Sequence, residues 1–241
     1  MFEDNNFKDQ IMLIIQQFPD VAKQIFTATL AKELEMDIKS KWFKNKQVTT
    51  VRVDLNLKNY HHIFFKSNAN EKLKLQMLEA VFELDCYSDG FKAIVFCEKR
   101  RGVDETCATI TKLGYACSKQ HGGMDEKEKR EEFAKFMSGK SKVLICSDMM
   151  SRGINVESLA LVVNYDIPKS KLPNGEMGVN PITYIHRTGR SGRFGRKGVS
   201  LTIVNSKQDD DDFQKVSSFA KKKYETEFEE VTLKNMADKV K

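Results

Sequence analysis

The stretch "FAKFMSGKSKVLICS", residues 133–147, admits two readings that lead to different folds. Gly139, Lys140 and Ser141 look like the end of a phosphate-binding P-loop, which requires strand, glycine loop and helix in that order. The earlier glycine of such a loop would stand five positions before Gly139, where this chain has Ala134. The order is also reversed. Phe133, Phe136 and Met137 continue a helical stripe behind "DEKEKREE", and the apolar run "KVLICS" follows them. The expectation is therefore a helix, capped by Gly139, feeding a strand.

That step repeats along the chain. Strand-like runs are "KQIFTA" (residues 23–28), "TTVRV" (49–53), "HIFFK" (62–66), "AIVFC" (93–97), "KVLICS" (142–147), "ALVVNY" (160–165) and "SLTIV" (200–204). Most are apolar throughout, as strands covered on both faces are. Between them, Ile11, Ile14, Ile15 and Phe18 have helical spacing; the charges of residues 125–132 suit a solvated helix face and first turn, and Asp209–Asp212 the opening of the last major helix. The fold class expected is α/β, a parallel sheet with helices on both faces. "DLNLKNY" (54–60) reads as a linker; residues 1–53 hold one or two βα units, and residues 61–241 hold a complete domain. Residues 169–181, rich in Pro, Gly and Asn, read as a surface loop.

The chain has 241 residues, with 40 basic against 34 acidic side chains and a formal charge of +6. Such a balance permits polyanionic partners without requiring them. Its five cysteines form no C-x-x-C pair, which suits reduced thiols. Cys117 and His121 have a ligand-like spacing but no second pair, so no metal held by protein ligands alone is expected. No apolar run reaches the roughly 20 residues a bilayer requires, and "MFEDNNFKDQ" lacks the regions of a signal peptide. A soluble, intracellular protein is expected.

"YIHRTGRSGRFGRKG" (184–198) combines five basic residues and four glycines with no acid. Arg187, Arg190 and Arg193 recur every third residue, so on a helix entered after "NPIT" they would lie along one side, with Arg190 and Arg193 one turn apart. Guanidinium forks match phosphate oxygens and could grip a γ-phosphate during transfer. By composition alone, a basic surface helix or a nuclear-localisation signal stands equally open.

This stretch is similar to the H-R-x-G-R-x-G-R motif of DEAD-box RNA helicases. Further matches follow in that family's order. "TAT" (27–29) resembles its S-A-T motif and "AIVFCEKRR" its fourth motif. "QHGGM" resembles the segment after the next strand, and "CSDMMSRGIN" its T-D-x-x-A-R-G-x-D motif. The resemblance implies RecA-like domains, with the chain beginning inside the first and residues 61–241 forming the second. It implies ATP with Mg2+, held mainly by an upstream lobe. Arg190 and Arg193 then stand as arginine fingers, and His186 with Arg187 as organisers of the cleft. Gly153 and Asn155 lie near the ribose, Asn155 replacing an acid, and Thr27, Ala28 and Thr29 couple the domains. For RNA, contacted through its sugar-phosphate chain, the resemblance points to Lys99, Arg100, Gly122, Lys129, Ser147 and Arg152. Glu126 and Lys129 depart from the family's Q-x-x-R, which puts an acid where an amide is expected.

Within the family, "FCEKRR", "KLPNGEMGVNPITY" and "RFGRKGVSLTIVNSK" look most like the messenger-RNA export branch, with translation-initiation helicases as near competitors. That branch implies nuclear-pore export factors with inositol hexakisphosphate as partners. The location it implies is cytoplasmic, including the cytoplasmic face of the nuclear pore, and also nuclear. The alternative is a non-catalytic module that binds RNA or the nuclear pore.

Overall fold

The computed structural model describes residues 5–26, 32–43, 47–51, 60–85, 92–147, 159–171, 175–191 and 198–240. Two compact units divide the chain, Met1–Asp54 and Leu55–Lys241. The linker expected at residues 54–60 lies outside the described residues except for Tyr60, which opens a strand.

The first unit contains helix α1 (Asn5–Gln17), helix α2 (Lys32–Asp37) and a π-helical turn (Ile38–Trp42). The strands expected at residues 23–28 and 49–53 do not form at their described positions, 23–26 and 49–51. A strand exists only through its ladder, and the described residues of this unit offer no second one. Phe26 and Val51 remain largely exposed, at 87% and 81%.

In the second unit seven parallel strands have the order β3-β4-β2-β5-β8-β1-β9. These are β1 (Tyr60–Lys66), β2 (Ala93–Phe96), β3 (Cys117–Gln120), β4 (Val143–Cys146), β5 (Leu161–Asn164), β8 (Gly198–Val204) and β9 (Phe228–Glu230). Helices cover both faces, as expected. Ile63, Val95, Ile145, Val163 and Leu201 bury against α3 (Glu71–Asp85) and α4 (Arg100–Lys112), and α8 (Met236–Val240) joins that layer through Met236. Ile94, Phe96, Leu144 and Val162 face Phe136 of α5 (Glu126–Met137). α6 (Pro181–Thr188) and α7 (Lys207–Tyr224) share a third cluster through Tyr184, Ile185, Val216 and Ala220. Every β2, β4 and β5 residue is buried, which explains their unbroken apolar runs.

The two outer strands carried no such signal. β3 is "CSKQ" and β9 "FEE", polar at alternate or successive positions because an edge strand keeps one side wet. The surface loop expected over residues 169–181 is in fact a short antiparallel hairpin, β6 (Lys169–Lys171) with β7 (Met177–Val179), running into the start of α6. Asn180 caps that helix by accepting from Ile182 N and Thr183 N, with Pro181 following.

The deciding stretch folds as read. α5 begins at a reciprocal cap between Asp125 and Glu128, ends at Met137, and is followed by Gly139 at φ +78° before β4. The acidic run at the start of α7 is part of a second such cap, in which the Asp209 carboxylate accepts from Ser206 N and Ser206 Oγ from Asp209 N.

Candidate functional site

Because the strands are parallel, their carboxyl ends share one edge of the sheet, and the turns leaving them meet there. β3 leads to His121–Gly122–Gly123, β4 to Ser147, and β2 to Glu98–Lys99–Arg100. Backbone bonds stitch these turns together: Ser147 N donates to Gln120 O at 3.1 Å and Cys97 N to Cys146 O at 3.0 Å. Arg100 lies over the glycines, and a Cβ on Gly122 would sit 3.4 Å from its Nη2. The fold thus gathers Lys99, Arg100, Gly122 and Ser147, which are separated in sequence. Lys99 and Arg100 are exposed and Gly122 half-buried.

His121 shapes this edge, and nothing in the motif match singled it out. Its Nδ1 accepts from Gly123 N at 3.1 Å, which puts the ring proton on Nε2, 3.3 Å from Asp104 Oδ1. Asp104 also accepts from Lys119, and chiefly that bond holds its carboxyl below the usual range. Lys129 is less available than the sequence suggested. Its ammonium pairs with Glu126 at 2.6 Å, the bond that lowers the Glu126 pKa, and its side chain is only 14% exposed. An acid at that position therefore neutralises the lysine one helical turn away.

The arginine segment corrects one expectation outright. α6 stops at Thr188, Gly189 closes it by donating to Ile185 O at 2.9 Å, and Arg190 stands in the turn beyond. Arg187 and Arg190 therefore do not line one side of a helix. Arg187 is fully buried, its Nη1 donating to Asn164 Oδ1 at 3.0 Å and Asp166 O at 2.9 Å, with the guanidinium 4.9 Å from the Phe96 ring centroid. It points into the sheet. His186 and Arg190 are both half-buried.

The reason lies in the sheet face beneath α6, which is polar. Inward positions of β1, β5 and β8 carry His62, Asn164, Ser200 and Thr202, all at most 2% exposed. Tyr184 Oη lies 2.7 Å from His62 Nδ1 and 3.4 Å from Ser200 Oγ, and Thr188 Oγ1 lies 3.1 Å from the same hydroxyl. Asn164 Nδ2 donates to Thr202 Oγ1 at 3.4 Å. A buried network of this kind holds one orientation, because any rotation of α6 leaves polar atoms unpaired. The signal was present in "VVNY" and "VSLTIV", apolar runs broken by Asn, Ser and Thr.

Cys117 and Cys107 form a second polar cluster. Hydrogen bonding from Cys107, then from the Thr111 hydroxyl 3.4 Å away, pulls the Cys117 thiol below its ordinary range, while Cys107 is pushed up. Burial pushes Cys97 up to about 12. Iodoacetamide labelling, read peptide by peptide, should therefore set in at lower pH at Cys117 than at Cys107 and remain absent at Cys97 at pH 8. Equal labelling of Cys117 and Cys97 would contradict the assignment.

Arg193, Gly153, Asn155, Arg152 and the Thr27–Ala28–Thr29 segment lie outside the described residues. Among the described residues no helix is long and apolar enough to cross a membrane, and no group of His, Cys, Asp or Glu could hold a metal ion.

Residues 73–195 match the helicase conserved C-terminal domain. The eukaryotic initiation factor 4A of Cryptosporidium parvum is 34% identical over 229 residues, covering 94% of this chain and 52% of that protein. The chain spans about half the length of the curated relatives it matches. Among solved structures, S. cerevisiae Dbp5 bound to RNA and ADP BeF3 superposes with a TM-score of 0.79 at 26% identity, covering all of this chain and 60% of that one. A Dbp5 variant bound to a Gle1 variant and IP6 gives 0.78 at 26% identity, over 99% of this chain and 59% of the other. The sheet order, the two helical layers and the ordered motifs agree with these matches: the chain belongs to the DEAD-box RNA helicases and carries their C-terminal RecA-like domain.

Proposed function

We propose that this chain is the C-terminal part of an ATP-dependent RNA helicase, in which residues 61–241 form the second RecA-like lobe and residues 1–53 the end of the first. The observation that carries it is the placement of Lys99, Arg100, Gly122 and Ser147 along one carboxyl edge of the sheet, where two long exposed cations meet a glycine turn and the buried Ser147. Those groups suit a sugar-phosphate chain and read no base, so binding is tolerant of sequence and sensitive to salt. Arg190, in the turn beyond α6, supplies a guanidinium to the phosphates of ATP bound with Mg2+ by the other lobe, and Arg193 is its proposed companion. Arg187, turned inward, holds α6 in place, and His186 organises the cleft. Gly153 and Asn155 are the ribose contacts; Arg152 and, weakened by Glu126, Lys129 add to the RNA edge; Thr27, Ala28 and Thr29 couple the lobes. Alone, the chain hydrolyses ATP negligibly.

The test is RNA binding by this chain across a salt series. Arg100→Ala should weaken single-stranded RNA of any sequence alike and reduce the slope of log affinity against log salt by about 0.7, the share of one phosphate contact. An unchanged slope would remove Arg100 from the interface.

For the cellular role we favour messenger-RNA export at the cytoplasmic face of the nuclear pore. Motif wording and the Dbp5 neighbours, one of them bound to Gle1 and IP6, support it. The initiation-factor relatives support translation initiation instead. Binding of a Gle1-type partner that strengthens with inositol hexakisphosphate separates the two. Binding of RNA or of a pore factor by a protein whose complete form hydrolyses no ATP would favour a non-catalytic module.

A further inference from the structure

Asp166 stands where three elements meet. It lies just beyond β5, and its own amide donates to Phe96 O at 3.3 Å. One carboxylate oxygen, Oδ2, accepts from Glu98 N at 2.8 Å, and the other, Oδ1, accepts from Lys74 Nζ of α3 at 2.9 Å. Its carbonyl accepts from Arg187 Nη1 of α6 at 2.9 Å. Lys74 is itself 4% exposed and lies 3.8 Å from the Tyr165 ring centroid, so the cation on Asp166 is held as firmly as the carboxylate.

Glu98 is the joint between sheet and RNA edge. The preceding residue, Cys97, is still tied to the sheet through Cys146 O; the following one, Lys99, is the N-cap of α4 and has no side-chain capping bond. The Asp166 carboxylate instead holds the amide one residue before that N-cap, at the point where Lys99 and Arg100 leave the sheet.

The geometry points to Asp166 as a positioning residue: its carboxylate fixes the turn that presents Lys99 and Arg100 to phosphate, and its carbonyl ties the same point to the buried Arg187 of α6. This rests on the RNA reading above. It makes a prediction opposite in sign to simple electrostatics. Removing an acid from a basic edge should tighten binding of a polyanion by charge alone, whereas loss of positioning weakens it.

The experiment uses this chain and fluorescein-labelled single-stranded RNA at low salt. Lys74→Met is the parent variant, so that no buried cation is left without its carboxylate. In that background Asp166→Ala should raise Kd about tenfold, the scale of one hydrogen bond to a charged acceptor. Asp166→Asn, whose amide oxygen still accepts from Glu98 N, should stay within about threefold of the parent. Exchange of the Glu98 amide with solvent should accelerate in the alanine variant and remain slow in the asparagine one, a readout that a general loss of stability would not split. Asp166→Glu keeps the charge but displaces the acceptor, and should resemble alanine; it carries the test if the alanine variant does not fold. Equal or tighter binding by the alanine and glutamate variants, or an asparagine variant as weak as alanine, overturns the inference and leaves the RNA reading standing. A parent that binds no RNA overturns both.

Discussion

Arg190→Ala should lower RNA-stimulated ATP hydrolysis by about 10³-fold or more in the two-lobed enzyme proposed to contain this chain, while the unfolding free energy of the lobe changes by less than about 1 kcal/mol. The size follows from where charge develops. A guanidinium aimed at a transferring phosphoryl group is stronger in the transition state than in the ground state, so its loss falls on kcat. The small cost in stability follows from position: Arg190 stands in the turn after Gly189 closes α6, half-buried and outside the helix. Arg190→Lys keeps the charge without the planar fork and should recover only part of the rate. Steady-state hydrolysis and urea unfolding on the same preparations decide it, and a loss of less than tenfold for the alanine variant would remove Arg190 from the phosphates.

Arg187→Met should act through stability instead, although the two residues share one motif. The substitution is expected to cost the domain about 3 kcal/mol or more in urea unfolding, among the largest effects of any single change to it. Arg187 is fully buried, and its Nη1 serves both Asn164 Oδ1 and Asp166 O. A thioether donates nothing, so both acceptors stay buried beneath α6 without that donor. Activity then falls because the helix loses its seat. Arg187→Met with wild-type stability would show that the buried network is dispensable and that Arg187 acts at the cleft.

The fold was legible in the sequence where one physical cause dominated. A strand buried on both faces must be apolar at every position, so β2, β4 and β5 announced themselves as "AIVF", "VLIC" and "LVVN". The cap at Gly139 was equally plain, since few residues meet that local backbone need, whereas the charges from Asp125 onward read only as a first turn and solvated face. The outer strands β3 and β9 were silent because an edge tolerates polar residues. The apolar runs at residues 23–28 and 49–53 misled for the converse reason: β-propensity is satisfied only by a partner, and none is present among the described residues of the first unit.

For the site, sequence order alone supplied the family resemblance and named Lys99, Arg100, Gly122 and Ser147, because motifs in fixed succession mark strand ends in a parallel sheet. What it could not supply was direction. Three arginines at every third position looked equivalent, yet only packing decides that Arg187 turns inward to Asn164 and Asp166 while Arg190 is left beyond the helix end. The same holds for Asp166, whose partners Lys74, Glu98 and Arg187 are brought to it by three different elements. Periodicity and turn chemistry are local and can be read along the chain. Hydrogen-bond partnership between distant residues is a property of the closed sheet, and exists only once the strands have met.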